Sequence, residues 1–400
     1  MSVYLLATLD TKGREAAFTR DQLESHGVKT ILVDVGSGGE PFLKSDVTRE
    51  EVFQAAGATL AEVQQRNDRG QAVTLAAVGA ATLIKRLHAE GKVSGVFGLG
   101  GSAGTVIGTA AMRELPLGIP KVMVSTLASG QVQPYVRDKD VAMFNSVVDL
   151  LGVNRISRLI LSQAARAMAG MVSLPAPEAS SEDRPLVAAT MFGVTTPCVE
   201  RARETLEQAG YEVLVFHATG SGGKAMESLI SDGLIAGVLD ITTTELADEL
   251  VGGVLSAGPD RLTAAGIQGT PQVISVGATD MVNFGSPDSI PEQFKDRRFH
   301  QHNAEVTLMR TTKEECSALG KQIAAKAKAA KGPTSIILPL QGVSAIDKSG
   351  ESFDDPQARE ALFESLRANR GDVELIETDC HINDEDFAER AAKRLIEMMS

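Results

Sequence analysis

Short, unbroken apolar runs recur along this chain, each closed by glycine or a turn residue and followed by a helical pattern; that alternation restricts the fold more than anything else. In the first half the runs are Val3–Thr8, Thr30–Val35, Val93–Leu99 and Lys121–Thr126. Helical periodicity falls between them, over Arg14–His26, Thr48–Arg66, Gln71–Glu90 and Gly104–Leu115. In the second half strands are expected at Leu186–Thr190, Glu212–His217, Ile235–Leu239, Gln272–Gly277, Ser335–Leu340 and Glu374–Glu377. Strands apolar on both sides need cover on both faces, and strands separated by helices are joined by crossovers. The fold class is therefore α/β, with mainly parallel sheets.

The stretch 173–185, SLPAPEASSEDRP, breaks the pattern with proline, serine and acid, and reads as a linker. It leaves a Rossmann-like nucleotide-binding lobe at 1–172 and a second Rossmann-like lobe at 186–400. The lobes look like copies of one unit. LESHGVKTILVDVGSGG, ending at Gly39, matches LEQAGYEVLVFHATGSGG, ending at Gly223, and smaller matches flank it in the same order. Two such lobes are expected to hold a ligand in the cleft between them.

With 400 residues the chain can build two real cores. A net charge of −13, 4% aromatic residues and no tryptophan argue against nucleic-acid tracks and base-stacking platforms. A small anionic molecule in a local basic pocket remains compatible with that charge. No apolar run reaches the roughly 18 residues of a membrane span, and no membrane partner is expected. The N-terminus, MSVYLLATLDTKG, reads as a first strand rather than a signal peptide. The three cysteines, Cys198, Cys316 and Cys380, are widely spaced and fit neither a disulfide framework nor a metal knuckle, so a cytoplasmic protein is expected.

The strand ending at Leu99 runs into GLGGSAGT, and Gly101, Ser102, Ala103, Gly104 and Thr105 then open a helix. Free N–H groups and the helix dipole suit a phosphate there, with the Ser102 and Thr105 hydroxyls as added donors. The G-x-G-x-x-A spacing lacks the later acid that a dinucleotide needs, and no P-loop motif occurs. The same loop satisfies G-x-S-x-G, a nucleophile elbow on Ser102, for which Asp379 and His381 are the available acid and base. After the first strand stand Asp10, Thr11, Lys12 and Gly13. Asp10 can hold Mg²⁺, Lys12 can neutralise phosphate oxygens, and Gly13 allows a close turn; helix capping is the plainer reading. The two GSGG loops, Gly36–Gly39 and Gly220–Gly223, read as anion nests or flexible turns. Asp240, Glu245 and Asp248 take the corresponding place in the second lobe, where Thr followed by Glu suggests a cap.

The densest polar stretch, FKDRRFHQHNAEVTLMRTT, gathers Lys295, Arg297, Arg298, His300, His302 and Arg310. A substrate or anion site fits it, a metal at His300 and His302 less so, and a surface loop is the remaining reading. Asp347, Asp354 and Asp355 follow in a long loop, where Asp354 and Asp355 could instead start a helix.

LLATLDTKG, LVDVGSGG, GLGGSAGT, DITTTELADELVGG, HQHNAEVTLMRTT, PLQGVSAIDKSGESF and HIND occur in this order. Together they resemble the family built around the ATP-binding N-terminal domain of the tomato mosaic virus resistance protein, a family widespread in bacteria. The resemblance spans nearly the whole chain. It implies two Rossmann-like lobes, ATP with Mg²⁺ as ligand, and self-association, a dimer in the simplest case. The expectation is an ATP-binding metabolic enzyme. Its phosphates would lie on Gly101–Thr105 beside Lys12, its metal on Asp10, and a small anionic substrate on Arg298, His300 and Arg310 as catalytic residues. A non-catalytic ATP-binding regulatory module and a serine hydrolase using Ser102 are the alternatives.

Overall fold

The computed structural model describes residues 2–174 and 183–400. The chain divides into two compact units, Met1–Ala179 and Ser180–Ser400. Of the expected linker, residues 175–182 lie outside the described residues.

In the first unit the strands are β1 (Ser2–Ala7), β2 (Thr30–Asp34), β3 (Val93–Gly100), β4 (Lys121–Ser125) and β5 (Ala142–Asn145). They form one parallel sheet in the order β2-β1-β3-β4-β5. Its helices are α1 (Leu9–Ser25), α2 (Arg49–Ala55), α3 (Leu60–Arg66), α4 (Arg69–Ala89), α5 (Ser102–Arg113), the short α6 (Gln133–Val136) and α7 (Arg155–Ser173). Side chains alternate across a strand, so β1 feeds two cores. Tyr4 and Leu6 pack with α2, α4 and α5, whereas Val3, Leu5 and Ala7 pack with α1 and α7. By length and composition α4 could cross a membrane, with an 18-residue window of mean hydropathy 1.2. Its Ala72, Ala76, Ala80, Leu83 and Ile84 are nevertheless buried in the first core.

The second unit carries β6 (Leu186–Met191), β7 (Glu212–His217), β8 (Gly237–Thr242), β9 (Gln272–Gly277), β10 (Met281–Phe284), β11 (Phe299–Asn303), β12 (Val306–Arg310), β13 (Thr334–Pro339) and β14 (Glu374–Thr378). Six of these make a sheet ordered β14-β13-β9-β8-β6-β7, parallel throughout. The other three form a small antiparallel sheet, β10-β12-β11. The helices are α8 (Thr196–Gln208), α9 (Ser221–Ser231), α10 (Thr244–Val251), α11 (Ala264–Gln268), α12 (Lys313–Lys328), α13 (Pro356–Asn369) and α14 (Glu385–Met399). Both large sheets begin with the same arrangement, the second strand outside the first and the third on its other side. That shared order is the structural counterpart of the repeated sequence.

Two expectations are corrected. Thr48–Arg66 is not one helix. The chain turns at Gly57, where φ is +74°, and α2 and α3 each start on a reciprocal cap, Thr48 with Glu51 and Thr59 with Glu62. The polar stretch 294–312 is not a plain loop either, since β11 and β12 occupy most of it.

Candidate functional site

An open parallel sheet leaves a crevice where its order reverses, because the loops leaving the two central strands diverge. In the first unit this point lies between β1 and β3. A cavity of about 720 Å³ opens there, lined by Thr8 and Asp10–Lys12 after β1, Ser37 and Gly38 after β2, and Gly101–Gly104 after β3. The two motifs singled out in the sequence thus meet in one place.

The glycine loop is shaped by close approach. A Cβ on Gly100 would lie 2.9 Å from the Gly104 Cα, so the end of β3 and the first turn of α5 nearly touch. Gly101 is the N-cap of α5 and offers no side-chain acceptor. The first turn closes through the Thr105 N–H donating to the Gly101 carbonyl at 2.9 Å. Among the described residues the N–H groups of Ser102, Ala103 and Gly104 have no acceptor, and they carry the positive end of the α5 dipole at the cavity. Across from them, Asp10 Oδ2 accepts from the Gly38 N–H at 2.9 Å while Oδ1 is buried without a partner. The Lys12 ammonium reaches the carbonyl of Leu150.

Two of the nine expected binding residues stand outside this constellation. Thr105 is fully buried and its hydroxyl is engaged by the Gly101 carbonyl and Ser125 Oγ, at 2.8 and 2.6 Å. Gly13 is buried as well; a Cβ there would fall 2.4 Å from Phe42 Cβ, so this glycine serves packing. The far wall was not anticipated. It consists of Val63, Gln64 and Asn67 from the end of α3, with Arg69, Val73 and Ala76 from α4. The signal lay in Asn67 and Asp68, a left-handed residue followed by a helix cap.

Both GSGG loops do bind anions, but the anions are the protein's own carboxylates. Asp34 Oδ1 accepts from the Leu9 and Gly36 N–H groups, and Asp10 takes Gly38. In the second unit Glu245 Oε1 accepts from Gly220 and Gly223, at 2.7 and 3.1 Å. The cap suggested by threonine followed by glutamate is not formed: the N-cap residue of α10, Thr243, makes no side-chain cap. Glu245, Asp240 and Glu227 converge on the buried guanidinium of Arg261, which the sequence did not single out. Burial opposes that charge, but Asp240 first, then Glu245 and Glu227, hold its pKa well above the usual range. Asp248 is buried too, and accepts from the Asn283 side chain at 2.6 Å and from its N–H at 3.0 Å.

The three residues expected to be catalytic all bond the loop 352–354. Arg298 donates to the Asp354 carbonyl, His300 Nδ1 bonds Ser352 Oγ at 3.0 Å, and Arg310 Nε donates to the Phe353 carbonyl at 2.9 Å. Together they tie down one loop. Arg310 also pairs with Asp347, which Arg359 holds from the other side. Asp355 caps α13, and Asp354 Oδ2 accepts from Gly350. Beside this cluster Asp280 accepts from the Ser344 hydroxyl at 2.8 Å, and its other oxygen has no partner. Burial, then the Asp347 charge, push the Asp280 carboxyl up to about 7 against the pull of Arg310. No group of three or more metal-ligating side chains converges among the described residues, His300 and His302 included.

The partners that the elbow reading of Ser102 needs are engaged within the second unit. Ser102 is not among the residues with positive φ, and no histidine lines its cavity. His381 spends Nε2 on the Ser344 carbonyl and Nδ1 on the Asn383 N–H, while Asp379 accepts from Gln341.

Residues 1–177 match the N-terminal domain, and residues 184–399 the C-terminal domain, of the uncharacterised protein family UPF0261. The chain belongs to the UPF0261 family. A UPF0261 protein of Clostridium tetani is 52% identical over 399 residues, covering 99% of this chain and 98% of that one. One from Rhizobium meliloti is 49% identical over 392 residues, 97% of each. The resemblance to the tomato protein holds as well. The ToMV resistance protein Tm-1(GCR237) of Solanum lycopersicum is 44% identical over 338 residues, 82% of this chain and 45% of the tomato protein. Among solved structures, a UDP-N-acetylglucosamine 2-epimerase from Rickettsia bellii spans 99% of this UPF0261 chain and 95% of its own. At 10% identity and a TM-score of 0.23 that likeness carries no argument.

Proposed function

We propose that the first unit binds ATP with Mg²⁺ in the crevice between β1 and β3. One observation carries the reading: the uncapped N-terminus of α5 faces a cavity of nucleotide size that Asp10 and Lys12 also line. Phosphate oxygens would accept from the Ser102, Ala103 and Gly104 amides, and Lys12 would balance their charge. Asp10 suits a metal that arrives with the phosphates. One of its oxygens is fixed by Gly38 and the other is unclaimed, and Mg²⁺ commonly takes one carboxylate plus phosphate oxygens and waters. The apolar side of the cavity, Val63, Val73 and Ala76, would receive the base. The resemblance carried by the sequence motifs implies the same ligand.

Binding without turnover is the form these side chains favour. Arg298, His300 and Arg310, which a metabolic enzyme would have used on a small anionic substrate, each bond one loop. We further propose a cytoplasmic setting, which three free cysteines suit, and self-association as the resemblance implies; light scattering checks the latter.

The deciding experiment is calorimetric titration with ATP, with and without Mg²⁺, on the wild type and on Ser102→Glu. Ser102 is exposed, and a carboxylate in the first helical turn favours the helix while occupying the phosphate position. The expected outcome is Mg²⁺-dependent binding by the wild type, weakened ~100-fold or more in a variant of undiminished thermal stability. No binding by the folded wild type rejects the reading; ADP release with a small acid present restores the enzyme.

A further inference from the structure

The segment between β5 and α7 is bonded to Lys12, a residue of the cavity wall, and it is held in an unusual state. Val147 sits at φ +64°, a conformation that a β-branched residue adopts only under constraint, and Gly152 follows at φ +78°. Val147 and Leu151 are 66% and 80% exposed, while Leu150 between them is buried. Two bonds fasten the segment to α1. The Gly152 N–H donates to Glu15 Oε1 at 2.7 Å, and the Leu150 carbonyl accepts from the Lys12 ammonium. Lys12 also lines the cavity and marks the one break in α1, at φ −122° and ψ 19°.

We infer that Lys12 couples the anion site to this strap: a polyphosphate in the cavity draws the ammonium off the Leu150 carbonyl and loosens residues 146–152. The inference rests on the phosphate reading of the cavity. Its physical basis is a competition. A neutral carbonyl holds Lys12 now, and a charge-assisted bond to phosphate is roughly twice as strong. The four-carbon stem lets the ammonium swing without moving the backbone. Released from Lys12, the strap keeps Glu15, the Ser146 N–H bond to the Ser125 carbonyl and the buried Leu150, against a strained Val147. Ligand occupancy would thereby be reported at a surface bearing Val147 and Leu151.

Hydrogen exchange followed by mass spectrometry tests this on the full chain, with calorimetry on the same samples, using ATP with Mg²⁺ and inorganic tripolyphosphate as probes. The amides of Val147, Val148, Leu151 and Gly152 are all hydrogen-bonded, to Asn145 Oδ1, within the segment or to Glu15, so the peptide spanning them has protection to lose. The expected result is exchange ~10-fold faster there when either probe binds, with slower exchange at Ser102–Gly104. Lys12→Met should show the fast strap without ligand and no further change with it. Binding by calorimetry with an unchanged or slowed strap overturns the coupling and leaves the site standing. Absence of binding overturns both. The wild-type comparison needs no variant, so a poorly folded Lys12→Met would not spoil the test.

Discussion

Arg261 shows how this protein treats charge at the scale of one residue. Its guanidinium is fully buried, forked onto both oxygens of Asp240 at 2.5 and 2.7 Å and bonded through Nε to Glu245 at 2.6 Å. Removing one member of a buried ion cluster leaves the others uncompensated, which costs more than the net worth of the pair. Arg261→Met, similar in length but uncharged, should therefore lose ~3–5 kcal/mol in urea unfolding. Glu245→Gln should lose less, ~1–3 kcal/mol: the amide oxygen still accepts from Gly220 and Gly223 and the guanidinium keeps Asp240, but the amide NH2 now meets the Arg261 Nε donor, which loses its acceptor. Equal losses would mean that the two glycine N–H bonds, not the charges, hold this corner. The comparison bears on the cavity too. In both GSGG loops internal carboxylates answer the glycine N–H groups: Asp34 and Asp10 in the first, Glu245 in the second. The α5 terminus receives none, and that difference singles it out as a place for an external anion.

At the scale of elements, glycines separate packing from propensity. Gly79 lies inside α4, where an added Cβ would come 2.0 Å from the Val52 carbonyl oxygen of α2. Gly170 lies inside α7 with nothing within 4 Å of the same position. Helix propensity favours alanine at both by up to ~1 kcal/mol. Gly170→Ala should raise the melting temperature, whereas Gly79→Ala should lower it, since a main-chain carbonyl cannot step aside and overpacking costs ~1–3 kcal/mol. A rise in both would mean that α2 shifts freely against α4. The same physics decided which elements were legible in the sequence. Ten strands could be read because they are continuous apolar runs closed by turns. β5 was missed because its four residues, AMFN, are too few and too mixed to stand out. β10 and β12 were missed because they are short and set buried polar residues, Asn283, Thr307 and Arg310, among the apolar ones, and β11 because FHQHN reads as a loop. The glycine loop and Asp10–Lys12 were legible because both follow strands. The far wall was not, because helices remote in sequence meet there only through the fold. Charge density in the second unit did not show how Arg298, His300 and Arg310 are used: all three bond one loop, contacts that composition cannot reveal.

Over the whole molecule the buried carboxyls set how stability follows pH. Asp280 is 1% exposed, with one oxygen on Ser344 and the other without a partner, so burial dominates and its carboxyl rises to about 7. In the unfolded chain an aspartate titrates near 4. Below about pH 4 both states hold the proton and the full stabilisation is present. Between about pH 4 and about 7 the folded chain keeps a proton that the unfolded chain has released, so stability falls as pH rises, by up to ~1.4 kcal/mol per pH unit for one such group. Above about pH 7 both states are ionised and this contribution is flat. A chain of net charge −13 also relaxes as acid titrates its surface, so the bare slope does not identify Asp280. Asp280→Asn does, because it keeps the acceptor for Ser344 and removes only the titration. Urea unfolding between pH 5 and pH 8 should show a wild type more stable at the acid end and a variant whose loss of stability toward pH 8 is visibly smaller. Arg310 would remain paired with Asp347 in that variant, so the loop it fastens should persist. An unchanged slope would move the pH dependence to Asp248, the other carboxyl that burial raises to about 7, or to the acidic surface, and Asp248→Asn in the same series would separate those two.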